Sequence, residues 1–110
     1  MINEVKMNKI MLELGFADVL RGTDYLRESV RLYAAGNTQI VRGIYPEIAQ
    51  KFNTESGSVE RCIRHAIERA WLRGRVETQE EIFGYTVTPS KGKPTVGECI
   101  ARLARVCREN

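Results

Sequence analysis

The sequence predicts a helical fold built around a helix-turn-helix. Three observations carry that expectation. Apolar residues recur at helical spacing in segment after segment. Serine, threonine, proline and glycine stand where those segments start and stop. Two of the segments, residues 46–52 and 56–73, are separated by only a few residues, the pattern of two helices joined by a tight turn.

The elements follow in chain order. Residues 4–15 read as a helix with Val5, Ile10, Met11 and Leu14 on its apolar side, Met7 close by, and Gly15 as its stop. Residues 23–35 read as a second helix, capped by Thr23 or Asp24, with Tyr25, Leu26, Val30 and Tyr33 inward. Gly36 and Asn37 end it. Residues 39–44 suggest a helical turn. Pro46 suits a first turn, where its missing N–H costs nothing, and the short helix it opens breaks at Asn53-Thr54. A serine at 56 or 58, or Thr54, caps the long helix that runs to about residue 73 and stops at Gly74. Residues 78–84 read as a short helix with Thr78 as cap, Glu80 and Glu81 in its first turn, and Ile82, Phe83 and Tyr85 inward. Residues 86–94 read as a loop or a brief extended piece carrying Lys91 and Lys93. Thr95 and Glu98 fit a capping box for the last helix. Ile100, Leu103, Ala104 and Cys107 line one of its sides, which serves as core or as a pairing surface. Arg102, Arg105 and Arg108 line the rest.

The long helix carries the most information. At about 100° per residue, Val59, Ile63, Ala66, Ile67, Ala70 and Trp71 fall within one apolar arc. Arg61, Arg64, His65, Glu68 and Arg69 fall opposite, and Glu60 sits on the border.

Composition bounds the class. The chain has 110 residues, 43% hydrophobic and 28% charged, which fits one globular domain over residues 1–110 and argues against disorder. No apolar run approaches the roughly 18 residues of a membrane span, and the amphipathic N-terminus is unlike a signal peptide. Three unpaired cysteines, Cys62, Cys99 and Cys107, point to a reducing cytoplasmic setting with free thiols. With a single histidine and no CxxC pair, no structural zinc site is expected, and no cofactor motif stands out. Net charge is +3, unevenly placed. Residues 1–55 are neutral, residues 56–75 and 85–110 each carry +3, and residues 76–84 carry −3.

These placements suggest a DNA-reading helix-turn-helix, in which the second helix enters the major groove N-terminus first. Arg61 and Arg64 can fork onto guanine O6 and N7, and Glu60 can accept from cytosine N4. Ser58, His65 and the helix N-terminus can meet phosphates, as can Lys91 and Lys93. A plain helical hairpin with a solvated arginine face fits the same pattern. Cys62 and His65, three apart, have the spacing of a thiolate–imidazole pair but lack a third orienting group; a packed cysteine and a surface histidine explain them more simply. The SKGKP stretch at residues 90–94 lacks the order of a phosphate-binding loop. No catalytic constellation is present, so no enzyme is expected.

The segments YPEIAQKF, VERCIRHAIERAWLRG, FGYTV and SKGKPT, together with GTDYLRESV from residue 22, resemble the C-terminal DNA-binding effector domain of the sporulation master response regulators, the stage zero sporulation protein A family. The likeness spans nearly the whole chain. It implies an all-α domain of about six helices around a helix-turn-helix, without a winged-helix element. It implies a bacterial transcription regulator that binds double-stranded promoter boxes related to TGTCGAA, as paired or tandem domains. Glu60 and Arg61 would be base contacts, Arg64 and His65 base or phosphate contacts, and Lys91 and Lys93 backbone contacts. The segment from residue 74 to 87, with Glu77, Glu80 and Glu81, would meet an RNA polymerase sigma factor. Three departures stand out: Ser58 replaces a family arginine, Gly57 sits in the first helical turn, and the connection between Val30 and Tyr45 is about three residues short. No receiver-type segment lies within the 110 residues. The sequence therefore suggests a fragment or a stand-alone paralogue, and leaves open an adaptor or inhibitor that keeps the fold without specific DNA binding.

Overall fold

The computed structural model describes residues 1–84 and 92–109. Six α-helices account for most of them, with no strand among the described residues. They are α1 (Glu4–Leu14), α2 (Arg21–Ala34), α3 (Tyr45–Lys51), α4 (Ser56–Arg73), α5 (Val76–Phe83) and α6 (Val96–Val106). A π-helical turn, Ile40–Ile44, runs directly into α3. Tyr85 lies outside the described residues.

Helix α2 is the centre of the packing, meeting both α4 and α6. Its contact with α4 depends on Gly22: a Cβ there would stand 1.9 Å from the carbonyl oxygen of Cys62. Around α2 the buried side chains join in one core that includes Met7, Met11, Leu26, Val30, Ile63, Ile67 and Leu103. Phe16, Trp71 and Phe83 stack edge to face, with centroids 6.4 and 5.4 Å apart, and fix the end of α4 against α1 and α5. Gln79 is buried and donates to the carbonyls of Leu14 at 3.0 Å and Ala70 at 3.2 Å, so it satisfies the ends of two helices at once.

The helix ends follow from local chemistry, and several differ from the sequence expectation. Gly15, at φ 106°, closes α1 with paired bonds from Gly15 N to Leu12 O and from Phe16 N to Met11 O. Val5 is 80% exposed rather than core. The buried set of α1 is Met7, Met11 and Leu14, an i, i+4, i+7 stripe that leaves Val5 on the opposite face. Helix α2 starts at Arg21, not at Thr23. Thr23 is buried and donates its hydroxyl to Ala17 O at 2.6 Å, so it cannot serve as the cap. Helix α4 has Glu55 at its N-cap and no side-chain cap from Ser56, Ser58 or Thr54. Helix α5 begins at Val76, which puts Thr78 inside it, donating to Glu13 Oε1 at 3.1 Å. Glu77 holds the first turn, and Glu80 and Glu81 lie further along. The capping box on α6 forms as expected, with Glu98 N donating to Thr95 Oγ1 at 3.1 Å and Thr95 N to Glu98 Oε1 at 2.8 Å.

Ile100, Leu103, Ala104 and Cys107 are fully buried within this one chain. That stripe of α6 is core, so it is not a pairing surface. The chain ends are also tied together. Asn3 N donates to Cys107 O at 2.8 Å, and Glu109 N donates to Met1 O at 2.8 Å.

Candidate nucleic-acid interface

The site begins with the turn between α3 and α4. Asn53 sits in the left-handed region at φ 53°, which asparagine tolerates better than most residues. The N–H of Thr54 reaches back to Ala49 O at 2.8 Å, so α3 ends sharply and α4 departs in a new direction. The inner face of α4 follows the apolar arc: Val59, Ile63, Ala66, Ile67 and Ala70 are buried. Its outer face is held toward solvent by that anchoring.

The outer face divides into two strips. Arg61, His65, Arg69 and Arg73 follow one another at four-residue spacing, and all four are exposed. Three of its four residues are arginines. Arg61 Nη2 donates to Ser58 Oγ at 3.2 Å. The second strip carries Glu60, Arg64 and Glu68. Arg64 Nη1 donates to both carboxylate oxygens of Glu60, at 2.9 and 3.1 Å. Here the helix borders a cleft of about 450 Å³, closed on its far side by Lys93, Pro94 and Thr95. Among the described residues, two carboxylates and two cations share this cleft.

Tyr45, at the start of α3, stands behind this strip. Burial pushes its hydroxyl up to about 12, the Glu60 carboxylate adds to the rise, and Arg64 works against it. The phenol therefore stays protonated at neutral pH. The sequence reading missed this residue because a buried tyrosine before a proline reads as ordinary core.

The structure brings Ser58, Glu60, Arg61, Arg64, His65 and Lys93 to one side of α4. Lys91 lies outside the described residues. Glu77, Glu80 and Glu81 are exposed on α5, beyond the opposite end of α4. His65 is exposed and Cys62 is half-buried against the core, with no hydrogen bond between them among the described residues. Burial raises the thiols of Cys99 and Cys107, with Lys6 opposing the rise at Cys107, so both are poor nucleophiles. No group of three or more histidine, cysteine or carboxylate side chains is placed to hold a metal among the described residues. None of the described helices is long and apolar enough to cross a membrane.

The family model for the sporulation initiation factor Spo0A C-terminal domain matches residues 7–107. The chain belongs to that family. The Spo0A C-terminal domain is a helical DNA-binding domain of sporulation control, and the all-helical fold here agrees with it. Ser58 lies in the first turn of α4, beside Arg61. Its hydroxyl accepts a hydrogen bond from Arg61.

Proposed function

We propose that the chain, acting as a single effector unit, is a sequence-specific regulator of sporulation genes that reads TGTCGAA-like boxes with the N-terminal half of α4. The observation that carries this reading is the exposed cationic strip of Arg61, His65 and Arg69 on the second helix of a helix-turn-helix. In a major groove, Arg61 would fork onto a guanine and Glu60 would accept from a cytosine amino group. Ser58, His65, Lys91 and Lys93 would contact phosphates, with Arg64 on a base or a phosphate. Affinity would then come largely from counterion release and weaken with salt, while the few base contacts set preference. No step of this work requires catalysis or a cofactor.

Glu77, Glu80 and Glu81 would present a carboxylate surface to an RNA polymerase sigma factor. Exposed Leu72 and Val76, which flank the α4–α5 junction, would add apolar contact there. Binding to paired or tandem boxes would place two copies side by side, in the bacterial cytoplasm and on the nucleoid. Fluorescence anisotropy with a TGTCGAA duplex and a scrambled duplex, at two salt concentrations, tests the reading. Preference for the box at both salts is the expected result. Absence of binding to either duplex would leave the fold serving a protein partner instead.

A further inference from the structure

This inference rests on the DNA-binding reading of α4 and concerns how its two foremost arginines are released. Arg61 is tethered by one neutral hydroxyl, Ser58 Oγ. Arg64 is tethered by a charge, with both Glu60 oxygens within 3.1 Å of one of its nitrogens. A charge-assisted bond of this kind is stronger than a bond to a hydroxyl. The Glu60 side chain is only 32% exposed, and docking against a duplex would strip more water from it and tighten the pair. Arg61 can therefore leave its tether cheaply, whereas Arg64 leaves a carboxylate behind.

We propose that Glu60 is a positioning residue that sets sequence selectivity through Arg64. The Glu60–Arg64 pair stays closed where the facing base offers only acceptors and opens where a major-groove amino group takes over the carboxylate. Cytosine N4–H2 and adenine N6–H2 are donors of the required kind. Facing either, Glu60 exchanges one donor for another, and Arg64 is free to reach a guanine edge or a phosphate. Facing guanine O6 or thymine O4, the carboxylate would meet only acceptors, so it keeps its guanidinium. Glu60 thus acts twice: it favours the correct base, and it withholds a cation from other sequences. Among the described residues of the cleft, Glu68 on the next turn and Lys93 carry opposite charges.

The test is a double-mutant cycle read on both duplexes across a salt series, with wild type, Glu60→Gln, Arg64→Ala and the double variant. Helix content by circular dichroism checks that each variant is folded. The expected result is that Glu60→Gln binds the scrambled duplex several-fold more tightly and narrows the box preference. Its salt slope on that duplex should steepen by about 0.9, the value of one added phosphate contact. In the Arg64→Ala background, Glu60→Gln should leave the scrambled affinity unchanged. An equal gain in both backgrounds would mean simple removal of a negative charge and overturns the proposal. Equal losses on both duplexes overturn it as well, as does a wild type that binds both duplexes alike. A wild type that binds neither defeats the DNA-binding reading itself, and the proposal with it.

Discussion

Helices α2 and α4 each carry a pair of arginines on neighbouring turns, and the two pairs do different work. On α2, Arg27 donates to Asn8 on α1 at 2.9 Å, to Asp24 at 3.1 Å and to Asp18, and its side chain is only 18% exposed. Arg31 grips both oxygens of Glu4 on α1, at 2.8 and 2.9 Å, and also Glu28, which in turn accepts from Lys51 of α3 at 2.9 Å. These arginines fasten α1 to α2, and Lys51 on Glu28 fastens α3. On α4, among the described residues, Arg61 and Arg64 bond only to residues of their own helix, three or four positions away. An arginine whose partners are distant in sequence holds the scaffold, and one whose partners are local remains available to a ligand.

Four substitutions would break or sharpen this contrast. Gly22→Ala strikes the scaffold where α2 meets α4, and the clash with the Cys62 carbonyl should cost about 3 kcal/mol in urea unfolding. Arg61→Ala should leave the unfolding midpoint unchanged and cost about 2 kcal/mol of binding to the box duplex, with relaxed preference at one position. Unchanged affinity for the box would remove Arg61 from the reading surface. Arg31→Ala should do the reverse, lowering stability by about 1 kcal/mol while the folded variant binds DNA normally. Lys93→Ala should weaken box and scrambled duplexes alike and flatten the salt slope by about 0.9. A loss confined to one sequence would contradict a phosphate role for it.

The Arg31 variant also carries a pH signature. The hydrogen bond from Arg31 holds Glu4 below the ordinary carboxylate range, against some burial. At Glu28 burial pushes the carboxyl up, but hydrogen bonds from Lys51 and Arg31 outweigh it and the net shift is downward. Groups lowered in the folded state contribute stability above the unfolded value, about 4.3 for glutamate, and lose it as pH falls through the lower folded value. Wild type should therefore lose stability more steeply than Arg31→Ala as the pH drops below about 4. Parallel acid unfolding curves would show that the network contributes nothing.

Much of this was legible in the sequence, for reasons particular residues make plain. The α6 capping box needs only Thr95 and Glu98 three apart, so local chemistry suffices to predict it. The inner face of α4 was legible because five buried residues repeat at helical spacing. The starts of α2 and α5 and the cap of α4 were not, because a cap depends on how the chain enters the helix. Thr23 has the right chemistry, but its position is already folded against Ala17. Val5 misled because hydrophobicity alone does not choose between two stripes on a short helix. At the site, the wheel placed Glu60 and Arg64 near one another, but their pairing and the presence of Tyr45 and Lys93 behind and across from them are tertiary facts.

The bonds joining Asn3 to Cys107 and Met1 to Glu109 make the backbone almost a closed ring. A linker of a few residues would seal it, and a cut in a surface turn elsewhere would then supply new ends without undoing the core. Sealing would reduce the number of unfolded conformations and so raise the melting temperature. Because both ends emerge at one place, the domain can also be spliced into a host loop as a unit, its entrance and exit already adjacent.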